Sequence, residues 1–164
     1  MHPCPCGWLN DAQKACGCAA AVVTKYQKRI SGPILDRIDI HIEVPRVDYE
    51  KLSGDRMGET SESIRARVQV ARDIQTERFA NYSSDIVCNA DMRVGEIRQF
   101  CKLQDEGQSL MRAAMSQLNL SARAYHRILK LARTIADLAG SEEIQSVHLA
   151  EALQYRPKLM HSTV

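Results

Sequence analysis

Four cysteines stand in the opening eighteen residues, MHPCPCGWLNDAQKACGC, as Cys4-x-Cys6 and, after a nine-residue gap, Cys16-x-Cys18. Two tight pairs of thiolates can close a tetrahedral set around a zinc ion, and Pro3, Pro5 and Gly7 are the residue types that shape a ligand-bearing turn. Zinc ribbons more often use Cys-x-x-Cys, so the spacing leaves two other chemistries open: free or partly oxidised thiols, and iron–sulfur ligation. A second candidate is Arg123, in the first turn of a helix that Ser121 starts. The macrodipole makes a cation mildly unfavourable there, a local misfit of the kind that function explains. Its bland counterpart is a solvated stripe with Arg127 and Lys130, and with little aromatic interleaving that stripe is a weak nucleic-acid surface. His41, His126 and His148 read as surface residues rather than ligands. Cys88 and Cys101, with no local partner, read as ordinary buried thiols.

The elements that must hold these residues follow from periodicity and punctuation. AAAVVTKYQKRI reads as a short helix ending near Ser31-Gly32-Pro33, where glycine closes and proline cannot continue it. From Ile38 to Val44 apolar residues alternate with Asp39, His41 and Glu43, the period of a half-buried strand that Pro45 ends. A lone strand leaves its own backbone groups unpaired, so it implies a sheet elsewhere in a longer chain. Residues 46–58, with two glycines and mixed charge, read as a linker. Everything after is helical. Thr60 and Ser61 are capping candidates for a long helix with Ile64, Val68, Ala71 and Ile74 on one face and Arg65, Arg67, Arg72, Asp73 and Glu77 on the other. NYSSDIVCNADM is a loop, and VGEIRQFCKL a short helix with Ile97, Cys101 and Val94 inward. DEGQSLMRAAMSQL stacks Leu110, Met111, Ala114 and Leu118. After Ser121, the stripe is Tyr125, Ile128, Leu129, Ala132, Ile135 and Ala136, and Gly140 closes the helix. Ser146 starts a last helix, stopped by Pro157. The expected bundle has about four or five helices.

Length permits one domain, or one domain with a fragment of another. The formal charge of +2 is the difference between 22 basic and 20 acidic residues, so any basic site is local rather than global. No apolar run approaches the roughly 20 residues of a membrane span, and the N-terminus lacks the layout of a signal peptide. The expectation is a soluble, cytoplasmic protein with no membrane partner.

HPCPCG, RISGPILDRIDIHIEVP and LSARAYHRILKLARTIADLAGSEEIQSVHLAEALQYR, in this order, resemble the C-terminal third of the ComM/YifB-type magnesium-chelatase-like AAA+ ATPases. The resemblance covers nearly the whole chain and implies a mainly α fold: the helical lid of an AAA+ module over 59–164, joined by a linker at 46–58 to a remnant of the α/β core at 1–45 that carries the cysteine insertion. The lone strand then is the last of the AAA+ sheet. The chain holds no G-x-x-x-x-G-K-[ST] phosphate loop, so it is not expected to hydrolyse ATP by itself. By the same resemblance Arg37, in ILDRID, falls where the family places an arginine finger, a cation reaching the ATP of a neighbouring subunit; a planar, always-charged guanidinium suits the charge that phosphoryl transfer builds. Without the resemblance, Arg37 reads as a surface cation pairing with Asp36 or Asp39. Arg123 matches the sensor-2 arginine, which couples nucleotide state to lid rotation. His2 stands where the family has asparagine before Pro-Cys-Pro-Cys. The resemblance further implies ATP and Mg2+ as cofactors, with Zn2+ on Cys4, Cys6, Cys16 and Cys18, a homo-oligomeric, hexameric ring, and DNA as partner in recombination and natural transformation. Two rivals stay open: a stand-alone zinc-binding helical module for nucleic acid or protein, and the lid of a true metal chelatase subunit.

Overall fold

The structure, a computed structural model, describes residues 2–44, 47, 53–54, 58–82 and 85–156. Two compact units divide them: the first takes 2–38 with 43–54, the second 39–42 with 58–156. The linker expected over 46–58, and Pro45 and Pro157 as stops, lie almost wholly outside the described residues.

Among the described residues the first unit carries the helices α1 (Ala20–Gln27) and α2 (Gly32–Leu35). Gly32-Pro33 does not end α1, as its composition suggests, but opens α2. Proline lacks the N–H that a helix leaves unpaired in its first turn, and its fixed φ is already helical, so the start of α2 accepts it at no cost.

Among the described residues the second unit is a bundle of α3 (Ser61–Phe79), α4 (Val94–Phe100), α5 (Asp105–Gln117), α6 (Ala122–Leu138) and α7 (Ser146–Gln154), with a 3-10 turn at Asn89–Asp91 inside the expected loop. Helix α6 is its axis, packing against α7, α3, α4 and the 3-10 turn. Ser121 caps it by accepting from the Ala124 N–H at 3.2 Å. At its other end Gly140 sits at φ +66°; its N–H reaches the Asp137 carbonyl and that of Ser141 the Ala136 carbonyl, so the last turn is closed by paired bonds only a left-handed residue permits. A cap contributes about 1 kcal/mol. Each buried large side chain of the stripe, Ile128 or Leu129, contributes roughly 1.5–3 kcal/mol, so the stripe rather than the cap holds α6 in place. The core adds Phe79, Met92, Ile97, Cys101, Met111 and Ile144. Phe79, Tyr82 and Phe100 meet edge to face with centroids 5.6, 5.7 and 6.0 Å apart.

Three expectations need correction. Val94, at the start of α4, is 46% exposed, because the turn of that helix that meets the core is the one carrying the buried Ile97. Helix α3 buries Ala71, Gln75 and Phe79, whereas Ile64 and Val68 are exposed, because only its C-terminal half meets the core. The segment Ile38–Val44 is not a strand: among the described residues it has no ladder, and its backbone reaches the bundle through the His41 N–H, which donates to the Tyr155 carbonyl at 2.8 Å. The alternation nonetheless survives as a row of apolar side chains, Ile38, Ile40, Ile42 and Val44, that are 43, 51, 69 and 79% exposed. A half-buried strand needs a partner sheet, and none is among the described residues.

Candidate metal centre and arginine sites

The chain from Pro3 to Cys18 folds back so that all four sulfurs converge, every pair lying within 4.8 Å. Cys4 Sγ stands 3.4 Å from Cys6 Sγ and 3.7 Å from Cys16 Sγ, and Cys6 and Cys16 are 3.5 Å apart. These are too long for disulfides and close to the tetrahedron edge of about 3.8 Å that Zn–S bonds of about 2.3 Å generate. Local chemistry makes the fold-back. Gly7, at φ +82°, turns the chain after the first pair, and its N–H donates to the Cys4 carbonyl at 3.1 Å. Asp11 Oδ1 accepts from the N–H groups of Gln13 and Lys14, both at 2.9 Å, which reverses the chain toward the second pair. Gln27, at the end of α1, donates to the Pro3 carbonyl at 3.1 Å and fastens the loop to its helix.

The thiols of the cluster differ in how readily they ionise. The Trp8 N–H, followed by the Cys4 thiol, pulls Cys6 down to about 6, so this thiol is ionised at neutral pH. At Cys16 the Cys18 N–H acts in the same direction, but loss of water and the neighbouring Cys6 and Cys4 sulfurs outweigh it and push the thiol up to about 12. Cys18 is raised too: the Cys6 N–H favours its thiolate, and the Cys6 side chain and desolvation oppose it more strongly. The Cys6 thiolate is therefore favoured while Cys16 and Cys18 resist adding to its charge, and a bound divalent ion would offset that resistance. The four cysteines could hold a metal ion, with Cys4 fully buried at the back of the site and Cys6 at its exposed rim.

The arginines fall in different settings. Arg37 is exposed and follows Asp36, the C-cap of α2, its N–H bonded to the Ile34 carbonyl at 2.9 Å. Asp39 is engaged elsewhere: its carboxylate accepts from Arg127 at 2.6 Å. Arg123 is exposed in the first turn of α6, where the stripe expectation put it. The stripe itself is not free, however, because Arg127 pairs with Asp39 and Lys130 donates to the Ala90 carbonyl at 2.7 Å. Of the histidines, His148 is buried rather than superficial, its Nδ1 accepting from the Gln145 N–H at the start of α7. Cys101 is buried, and burial first of all pushes it up to about 12; Cys88 is half-exposed and donates to Asp91.

Periodicity alone did not reveal the buried polar cluster beside α6. Asp137, with Arg133 one turn before it, is held by the Arg78 guanidinium at 2.5 and 2.8 Å, by Arg133 Nε at 3.1 Å and by Asn89 Nδ2 at 2.7 Å. Arg133 also donates to the Ser141 and Glu142 carbonyls. Burial first, then Arg78, pulls Arg133 below the usual arginine range, while Asp137 opposes both. The available signal was an i,i+4 Arg133–Asp137 pair set inside an apolar stripe.

The family model for magnesium chelatase, subunit ChlI C-terminal, matches residues 58–156, and that for magnesium chelatase, subunit ChlI, matches residues 1–52. The Competence protein ComM of Haemophilus influenzae is 43% identical over 158 residues, covering 95% of this chain and 29% of the relative. The Uncharacterized protein YifB of Escherichia coli is 38% identical over 157 residues, again 95% of this chain and 29% of the relative. The chain thus spans 29% of the length of these curated relatives.

Proposed function

Because this chain belongs to the family of the magnesium chelatase subunit ChlI C-terminal region, we propose that it is the lid end of a ring-forming AAA+ ATPase of the ComM kind. Residues 59–164 form the lid and 1–45 the end of the nucleotide-binding core. The observation that carries the reading is the consecutive match of both segments, 1–52 and 58–156, to two parts of one subunit. In it Arg37 is the finger offered to the ATP of the neighbouring subunit, and Arg123 the sensor that reads the subunit's own nucleotide. The whole protein uses ATP with Mg2+ and acts on DNA in recombination and natural transformation, as a hexameric branch-migration helicase; in support, one relative is by name a competence protein. The lid of a true metal chelatase is the second reading, favoured by the family description; the 43% identity to ComM favours the first.

An exposed arginine at a helix N-terminus has no folding reason to be there, so its removal tests the reading cleanly. In the whole protein, Arg123→Ala is expected to weaken ATP binding or its coupling to turnover by at least about tenfold, the loss of one charge-assisted phosphate contact. A wild-type ATP titration and turnover curve would leave Arg123 as surface charge.

The cysteine set is the zinc site of this reading, a staple that closes the Pro3–Cys18 loop independently of the phosphate chemistry. Elemental analysis of the purified chain is expected to find one zinc per chain, and Cys4→Ser together with Cys16→Ser to abolish it. Because the ligands must be deprotonated, zinc retention is expected to fall as pH falls, with proton release on rebinding. Iron in place of zinc, or no metal in protein purified without chelator, would remove the assignment.

A further inference from the structure

Residues 39–42 belong to the bundle although the chain on both sides of them belongs to the first unit. Two bonds hold them there. Asp39 accepts from Arg127 at 2.6 Å across 88 residues of sequence, and the His41 N–H donates to the Tyr155 carbonyl, at the end of α7, at 2.8 Å. The Asp39–Arg127 pair is open to water, with 29% of the Arg127 and 50% of the Asp39 side chain exposed, so it adds little to folding. A strong geometric constraint that contributes little stability suits a different role.

Both ends of the pair are adjacent to the two arginines assigned above. Asp39 lies two residues after Arg37, so at most about 7 Å of chain separates their Cα atoms. Arg127 lies one turn after Arg123 on the same face of α6, a rise of about 6 Å. We propose that the Asp39–Arg127 pair, seconded by the His41–Tyr155 bond, is a positioning device that ties the chain bearing Arg37 to the helix bearing Arg123. A tilt of α6 on a change of nucleotide in one subunit is passed along two residues of chain to the arginine that serves the next subunit. Asp39 and Arg127 touch no nucleotide in this scheme; they act through Arg37. This inference rests on the finger and sensor assignments.

The test uses the whole protein with Asp39→Asn, Arg127→Gln, and the reversed pair Asp39→Arg with Arg127→Asp. Each single variant is expected to lower ATP turnover by about tenfold to 10²-fold, the usual consequence of displacing a catalytic group by about 1 Å. Nucleotide affinity and thermal midpoint should stay at wild type, and the reversed pair should recover most of the turnover. In rings mixed with subunits unable to hydrolyse ATP themselves, the loss should appear in the neighbour that receives the variant's Arg37, which a merely structural defect would not arrange. Turnover within twofold of wild type in both single variants, or no recovery in the reversed pair, would overturn the inference. Arg37→Ala in the same assay separates the causes. If it is inactive while the pair variants are normal, only the positioning role falls. If it is fully active, the finger assignment falls and takes the positioning role with it.

Discussion

Replacing Arg37 by alanine in the whole protein is expected to reduce ATP turnover by on the order of 10³-fold or more, with nucleotide affinity unchanged. The size follows from what the residue would stabilise. Charge accumulates on the transferred phosphoryl group only on the way to the transition state, so a cation that meets it there alters rate and not ground-state binding. Lysine should restore little, since a flexible point charge cannot span two phosphoryl oxygens as a planar guanidinium does. Steady-state turnover with a separate measurement of ATP affinity decides it. Turnover within threefold of wild type would return Arg37 to the exposed surface cation that its setting after α2 otherwise describes.

A second large effect is expected where no nucleotide is involved. Asp137→Ala should destabilise the bundle by about 3–5 kcal/mol, because it leaves Arg78 and Arg133 buried without their shared counter-ion. Asp137 is fully buried at the side chain and Arg78 13% exposed, so water cannot take the missing place. A domain of this size has about 5–15 kcal/mol in total, which makes the loss a fall in thermal midpoint on the order of 15–30 °C or failure to fold at all. Asp39→Asn supplies the contrast: the same charge is removed from an exposed pair, and the expected cost is within about 1 kcal/mol. Replacing Arg78, Arg133 and Asp137 together by apolar residues of similar volume should recover much of the stability, as it removes the charges with their partner. A midpoint shift below about 4 °C for Asp137→Ala would mean that Asn89 and water suffice to hold the two arginines.

How far each feature was legible depended on how local its cause is. Ser121 and Thr60 announce the starts of α6 and α3, and Gly140 the end of α6, because capping is settled within four residues of chain. The stripe of α6 was legible for the same reason, as helical spacing places Ile128, Leu129, Ala132 and Ala136 on one side whatever they meet. The four cysteines were legible as a set because their spacing confines them to one loop. Where a face depends on a distant neighbour, periodicity misled. Ile64 and Val68 share the apolar face of α3 with Ala71 yet stay exposed, since the core reaches only the last turns of that helix. Ile38–Val44 has the alternation of a strand and no partner among the described residues to make it one.

By itself the sequence determined the helical class, the caps and apolar stripe of α6, the grouping of the thiols, and the family. All of these depend on types and spacings along a few turns of chain. Tertiary structure alone decided which charges are paired: Asp137 with an arginine 59 residues earlier, and Arg127 with an aspartate 88 residues earlier. An ion pair carries no period, and the folded backbone, not residue spacing, selects its partner. For that reason Arg123, Arg127 and Lys130, one stripe in the sequence, have three different surroundings in the fold.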